Sequence, residues 1–270
     1  MDKSRITAAI WSWGTDTREE MELAAKEISA IGYTSFESVK AAIYAYDLDL
    51  NAYRQVLDKY NLTPASFYFL MPAYGEEAEL FGNLERELEF ITELGVKRIC
   101  LQATEGRPAV MDSAALDYEL SLIQRFSEKT QKFGIVPNLH PHYNTWVMYQ
   151  EEIDCVFKNL DSNTIQFAPD TAHLVAAGCD PVAVIKKYID RVNFTHFKDI
   201  KAQPNGYAAA GKSVYTNFCE LGTGCIDFRS IFDVLKAANY DGPLCEELDF
   251  APVSNAESAK NNFNFLLNNY

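Results

Sequence analysis

The sequence has only four histidines, no CxxC pair, no GxGxxG turn and no apolar run approaching about 18 residues. Each absence removes a class of protein. Without a long apolar run, no membrane-spanning helix is expected. The opening MDKSRITAAIWSWG holds one short apolar stretch followed by acid, too short for a secretory core with its cleavage site, so the chain reads as cytoplasmic and untargeted. The six cysteines, Cys100, Cys155, Cys179, Cys219, Cys225 and Cys245, are spaced for neither a zinc ribbon nor a disulfide framework and are expected to be reduced thiols. Positive charge is scarce as well. Lys and Arg total 24 against 38 Asp and Glu, a net charge of -14. That surplus repels phosphate backbones and anionic lipid, which argues against a nucleic-acid or membrane partner.

What is present is apolar: 48% hydrophobic and 13% aromatic residues over 270 positions, ample for the core of one large α/β domain. Short β-rich runs alternate with amphipathic helical patterns. The candidate strands are Ile6–Trp11, Tyr33–Glu37, Ala65–Leu70, Arg98–Ala103, Ile135–His140, Ile165–Asp170, Val192–His196 and Leu244–Glu247. The first helix reads from an Asp16 N-cap with Glu19 as a capping box, through Met21, Ala24, Ala25 and Ile28, to Gly32. Eight βα units without a Pro/Gly/Ser linker predict one (β/α)8 TIM barrel over residues 1–270. An open doubly wound sheet would place a Gly-rich turn after its first strand, where Trp11-Ser12-Trp13-Gly14-Thr15 stands instead. The longest irregular segment, Lys201–Phe218, follows the seventh strand and is expected to cover the active site.

All four histidines, His140, His142, His173 and His196, fall at or just beyond the C-terminal ends of candidate strands five to seven. In a barrel those ends converge on the face that carries active sites. Strand alternation puts Asn138, His140 and His142 on one face, and Cys245 with Glu247 on one face, leaving Glu246 at the surface or toward a helix. His140, Asp170, His196 and Glu247 then make a mixed nitrogen–oxygen site suited to a divalent ion such as Mn, Zn, Fe, Co or Mg. Other readings stand beside this one: Asp170 as a helix N-cap, Glu247 as an ion-pair partner of Lys198, and Lys198 as the neutraliser of the acids or as an acid, base or oxyanion stabiliser.

These residues also carry a resemblance. FAPDTAHLVAAGCDPVAVIKKYIDRVNFTHFKDI resembles the PDTGH…GGDP…HLKD block of the xylose isomerase-like TIM-barrel superfamily, NLHPHYNT resembles the HPHxGT stretch of its inosose dehydratase branch, and FCELGTGCIDFRSIFDVLKAANYDGPLCEELD resembles the superfamily's ending. The likeness is strong from Pro137 to Asp249. It implies metal ligands at Asp170, His196 and Glu247, with His140 where the ketose epimerases usually carry Glu. It implies a substrate-contacting role for His173 and a place near the substrate for Lys198. The implied chemistry is proton abstraction next to the carbonyl of a keto-sugar or keto-polyol, through an enediolate stabilised by a divalent metal, with Glu247, His142 or Lys198 as the base. An isomerase or epimerase is the expected activity, an inosose dehydratase-like lyase the alternative, and a non-catalytic sugar-binding barrel the remote one. An endonuclease of the same superfamily would need more histidines than the chain has. The resemblance leaves a homo-oligomer open, and no heptad is readable. Trp11, Trp13, Tyr68, Tyr143 and Trp146 lie near strand ends, where rings stack on sugars or simply pack. Glu37 and Gln102 are candidate hydroxyl binders, and the lack of an anion nest favours an unphosphorylated substrate.

Overall fold

A computed structural model describes residues 2–207 and 211–270. Its strands are β1 (Ile6–Ala9), β2 (Ser35–Val39), β3 (Thr63–Leu70), β4 (Ile99–Gln102), β5 (Asn138–His140), β6 (Gln166–Phe167), β7 (His196–Phe197), β8 (Asp199–Ile200), β9 (Phe218–Cys219) and β10 (Leu244–Glu246). Eight of them form one parallel sheet in the order β6-β5-β4-β3-β2-β1-β10-β7. The two ends of that order meet. Parallel bridges join Phe167 to Val192 and Asp170 to His196, and His196 N donates to the Pro169 carbonyl at 2.9 Å. The sheet is therefore a closed barrel, as the eight βα units predict. β1 and β4 are buried along their whole length, which a strand with side chains inside the barrel and helices outside requires.

The helices are α1 (Arg18–Ile31), α2 (Lys40–Ala45), α3 (Leu50–Tyr60), α4 (Glu77–Glu93), α5 (Ser113–Thr130), α6 (Gln150–Asn159), α7 (Thr171–Ala176), α8 (Pro181–Lys187), α9 (Phe228–Ala237) and α10 (Asn255–Asn269). The first cap lies one residue later than expected. Thr17, not Asp16, caps α1: its hydroxyl accepts from Glu20 N at 3.2 Å, and the Glu20 carboxylate accepts from Thr17 N and Asp16 N at 3.0 Å. Gly14 makes room for this; at φ +81°, a Cβ there would sit 2.6 Å from the Glu20 carboxyl carbon. No helix among the described residues is long and apolar enough to cross a membrane.

The sixth and seventh candidate strands shrink most, to two residues each. The sixth stops at Phe167 because Pro169 has no N–H to donate and Asp170 turns its carboxylate to cap α7, accepting from His173 N at 2.8 Å. The seventh starts only at His196. The irregular segment after it opens and closes with the antiparallel β8–β9 hairpin, which the sequence did not suggest. Within it Tyr207, Val214 and Phe218 form a small satellite core with Tyr143, Met148 and Leu248, seating the loop on the barrel mouth. Residues 208–210 of this loop lie outside the described residues.

Helix α5 buries a carboxyl that titrates. Glu119 accepts from Thr104 N at 3.2 Å, just past the end of β4, and its other oxygen has no partner. Burial pushes its pKa up to about 7, against the pull of Thr104. Because the folded pKa is raised, the stabilisation from the protonated form is full below the ordinary carboxyl pKa of 4.5 and is lost as pH rises through about 7. Glu119→Gln is expected to flatten that dependence and to raise stability at pH 8 by up to about 3 kcal/mol. Thermal melts of both proteins between pH 4.5 and pH 8 check it; parallel curves would rule it out.

Candidate metal centre and active site

Four side chains converge where β5, β6, β7 and β10 end. His140 closes β5, His196 opens β7, Asp170 caps α7 and Glu247 follows β10. All four are buried, and each offers one ligand atom within 4.8 Å of the others. His196 Nδ1 lies 2.9 Å from His140 Nδ1 and 3.7 Å from Glu247 Oε2. Three polar atoms here, His140 Nε2, Asp170 Oδ2 and Glu247 Oε2, are buried without a hydrogen-bond partner. Leaving such atoms unpaired away from water is costly, and a cation among them removes the cost. Two imidazoles with two carboxylates fit a divalent transition metal by donor type.

Lys198 stands against the same acids. Its Nζ bonds Glu247 Oε1, lies 2.7 Å from Asp249 Oδ2 and 3.7 Å from Asp170 Oδ2, and sits 4.9 Å above the centre of the Phe218 ring. Burial disfavours its charge, yet Asp249, Glu247 and Asp170 outweigh burial and hold its pKa well above the ordinary lysine value. These contacts favour the charged ammonium of Lys198 among the acids. Burial pushes the Glu247 carboxyl up, to about 8, against the pull of Lys198 and His196. For His196, burial works against the charged form, but Glu37 and Glu247 raise its pKa to about 9.

His142 and His173 stack, with ring centres 3.7 Å apart. Both are tied to the backbone of one residue. Tyr143 N donates to His173 Nδ1 at 3.1 Å, and the Tyr143 carbonyl lies 3.1 Å from His142 Nδ1. An N–H can only donate and a carbonyl can only accept. Neutral His142 therefore carries its proton on Nδ1, leaving a lone pair on Nε2, whereas His173 faces a donor at each nitrogen, Tyr143 N at Nδ1 and Lys198 Nζ at 3.4 Å from Nε2. Burial, then Lys198, pushes His142 down to about 3, and burial, then His142 and Lys198, drives His173 well below its ordinary value. Both rings are neutral at physiological pH. His142 lines an open cleft of about 400 Å³ together with Ala73, Glu105, Thr145 and Tyr215. Beyond Tyr215 a second cleft of about 710 Å³ is bordered by Phe218, Asp249 and Phe250.

The remaining candidates divide. The Trp11 ring meets Tyr68 at 5.1 Å and His196 at 5.8 Å, at the mouth. Gln102 accepts from the Tyr68 hydroxyl and donates to Glu105 Oε1 at 3.1 Å. Glu37 Oε2 lies 2.5 Å from His196 Nε2, and its other carboxylate oxygen is buried without a partner. Trp13 does not join the others: its Nε1 donates to Glu27 of α1 at 2.6 Å, on the outer side of the barrel. Glu246 faces a helix as expected but is buried rather than at the surface, accepting from Asn262 of α10 at 2.7 Å. Asp249, Glu105 and Tyr215 went unnoticed in the sequence. Asp249 alone had a signal, the alternation Cys245, Glu247, Asp249.

Comparison with known proteins agrees with this architecture. The family description "Xylose isomerase-like TIM barrel" matches residues 25–268. A curated inosose dehydratase of Clostridium botulinum (strain Eklund 17B / Type B) is 37% identical over 278 residues, covering 93% of this chain and 91% of the relative. Among solved structures, the probable 3-DHS dehydratase AsbF of Bacillus anthracis superposes with a TM-score of 0.80 at 15% identity, covering 98% of this chain and 100% of that one. The IOLI protein with a binding zinc atom gives 0.78 at 16% identity, covering 97% and 96%. The chain belongs to the xylose isomerase-like TIM-barrel family and is an enzyme of the sugar isomerase, epimerase or dehydratase kind.

Proposed function

We propose that the chain removes water from a keto-polyol ring of the inosose type by taking the proton next to its carbonyl. The observation that carries this reading is the stacked pair His142 and His173, with His142 held by the Tyr143 carbonyl through Nδ1, on one side of the metal cluster. His142 Nε2 has the lone pair that accepts the α-proton. The proton gained by His142 then passes to the departing β-hydroxyl, which leaves as water while the carbon–carbon double bond forms and His142 returns to its neutral state, with the His173 ring stacked against it. A divalent cation held by His140, Asp170, His196 and Glu247 supplies Lewis-acid polarisation of the carbonyl when bound. Lys198 adds positive charge beside developing negative charge.

Epimerisation by two opposed carboxylates is less well served. His140 occupies one of those two positions, and Glu247 at the other is held by Lys198. The names of the inosose dehydratase relative and the dehydratase neighbour favour the same choice. The set of ligands favours Mn, Zn or Co over Mg, since imidazole suits transition metals and Mg prefers oxygen.

The test is to incubate the protein with Mn or Co and a panel of inososes and ketohexoses, following product mass. A product lighter by one water is expected from an inosose. Unchanged mass with a new retention time would replace this reading by isomerisation or epimerisation. His142→Ala is expected to lower turnover by about 10²–10⁴-fold while leaving bound metal in place.

A further inference from the structure

The side chain of Glu37 comes from β2, is fully buried, and crosses the barrel interior to a histidine 159 residues later in the chain. Between β2 and β7 in the sheet stand β1 and β10, so the contact is made through the barrel and not between neighbouring strands. Glu37 Oε2 meets His196 Nε2 at 2.5 Å, while Glu37 Oε1 has no hydrogen-bond partner. The opposite ring nitrogen of His196, Nδ1, is the one facing His140 and Glu247.

We propose that Glu37 is the positioning residue of the metal centre: its carboxylate accepts a hydrogen bond from the Nε2–H of His196 and thereby aims the Nδ1 lone pair at the ion. The proposal rests on the metal reading above. A carboxylate on the outer nitrogen of a ligating imidazole fixes its tautomer and makes the inner nitrogen a better donor. This chain has particular need of it. Asp170 and Glu247 are the only carboxylates among the four ligand positions, and the Lys198 ammonium lies against both. Glu37 restores negative charge next to the ion without occupying a coordination position.

A plain structural strut predicts something different. Glutamine has the same shape and would fill the same space. As a strut it would do as well; as a positioning group it would not. Its amide is uncharged, and if its N–H faces His196 Nε2, the ring proton moves to Nδ1, the nitrogen that must be bare. Glu37→Gln is therefore expected to fold normally and to weaken zinc or manganese binding by about 10–100-fold, measured by calorimetry. A second readout does not depend on turnover. In the zinc-loaded and metal-free wild type, the His196 ring N–H on Nε2 should give a far-downfield proton resonance that is lost in Glu37→Ala and moves upfield in Glu37→Gln. Wild-type binding together with a Glu37→Gln variant whose metal affinity stays within about threefold of it would overturn this proposal alone. A wild-type protein that binds no divalent ion would overturn the metal reading and this proposal with it.

Discussion

His196→Ala is expected to strip the protein of its divalent ion and to cut turnover by about a thousandfold or more. Lewis-acid stabilisation of transition-state charge is worth several kcal/mol, and each ~1.4 kcal/mol is tenfold in rate. His196 touches more of the site than any other candidate ligand: His140, Glu247 and Glu37 by its nitrogens, and Trp11, Tyr68 and Phe194 by its ring. Alanine also leaves the Glu37 carboxylate buried and unpaired, which costs about 3–5 kcal/mol and could unfold the barrel. His196→Gln controls for this, since its amide can still donate to Glu37. Metal content after loading and gel filtration, read beside circular dichroism, decides the matter. If both variants fold and keep a stoichiometric ion, the four-residue cluster is not a metal centre.

The second large effect concerns stability. Asp199 is buried, and its carboxylate accepts four backbone N–H groups: Ile200 at 2.8 Å and Ile226 at 3.2 Å on one oxygen, Gly222 at 3.0 Å and Gly224 at 2.8 Å on the other. It ties the turn after β9 to the start of β8. Gly224 approaches so closely that a Cβ there would fall 2.3 Å from Asp199 Oδ1 and 2.4 Å from the Ile200 carbonyl oxygen. Asp199→Ala leaves these donors unpaired, at about 1–3 kcal/mol for each one that water cannot reach, so a loss of about 3–5 kcal/mol is expected. For a chain of this size that lowers the melting temperature by on the order of 10 °C. Asp199→Asn should recover only part, since its NH2 meets N–H donors. Calorimetric melts check both; a melting point within a degree or two of wild type for Asp199→Ala would show that the turn holds itself. Turnover should fall as well, because Phe218 beneath Lys198 belongs to the same hairpin.

The convergence of the four residues could be read from the chain because strand alternation says which side chains point inward, and strand ends say where they meet. His140, Asp170, His196 and Glu247 needed nothing more. Distance across the barrel was not readable. Glu37 faced inward by the same rule, but its reach to His196 depends on closure of the sheet. The cap of α1 slipped by one residue because Asp16 and Thr17 can both cap, with Glu19 and Glu20 each three residues on; the tight fit of Gly14 against Glu20 selects one frame. Trp13 parted from Trp11 because the chain leaves the strand after Ala9 and winds as a 3₁₀ turn over Trp11–Trp13. Residues two apart share a face in a strand but stand roughly 240° apart in such a turn. Tyr215 and Glu105 sit on loops whose course is set by tertiary contacts that no local pattern announces.

The clamp at residue 143 has a consequence for how this site can change over time. The rings of His142 and His173 are anchored by a peptide C=O and a peptide N–H, groups that every amino acid except proline supplies in the same way. The tyrosine side chain is employed elsewhere, its hydroxyl donating to the Tyr207 carbonyl at 3.2 Å in the seam that holds the long loop. Residue 143 is therefore a place where cleft shape and loop closure can be varied, by drift or by design, while the backbone anchoring of both rings passes unaltered from one variant to the next.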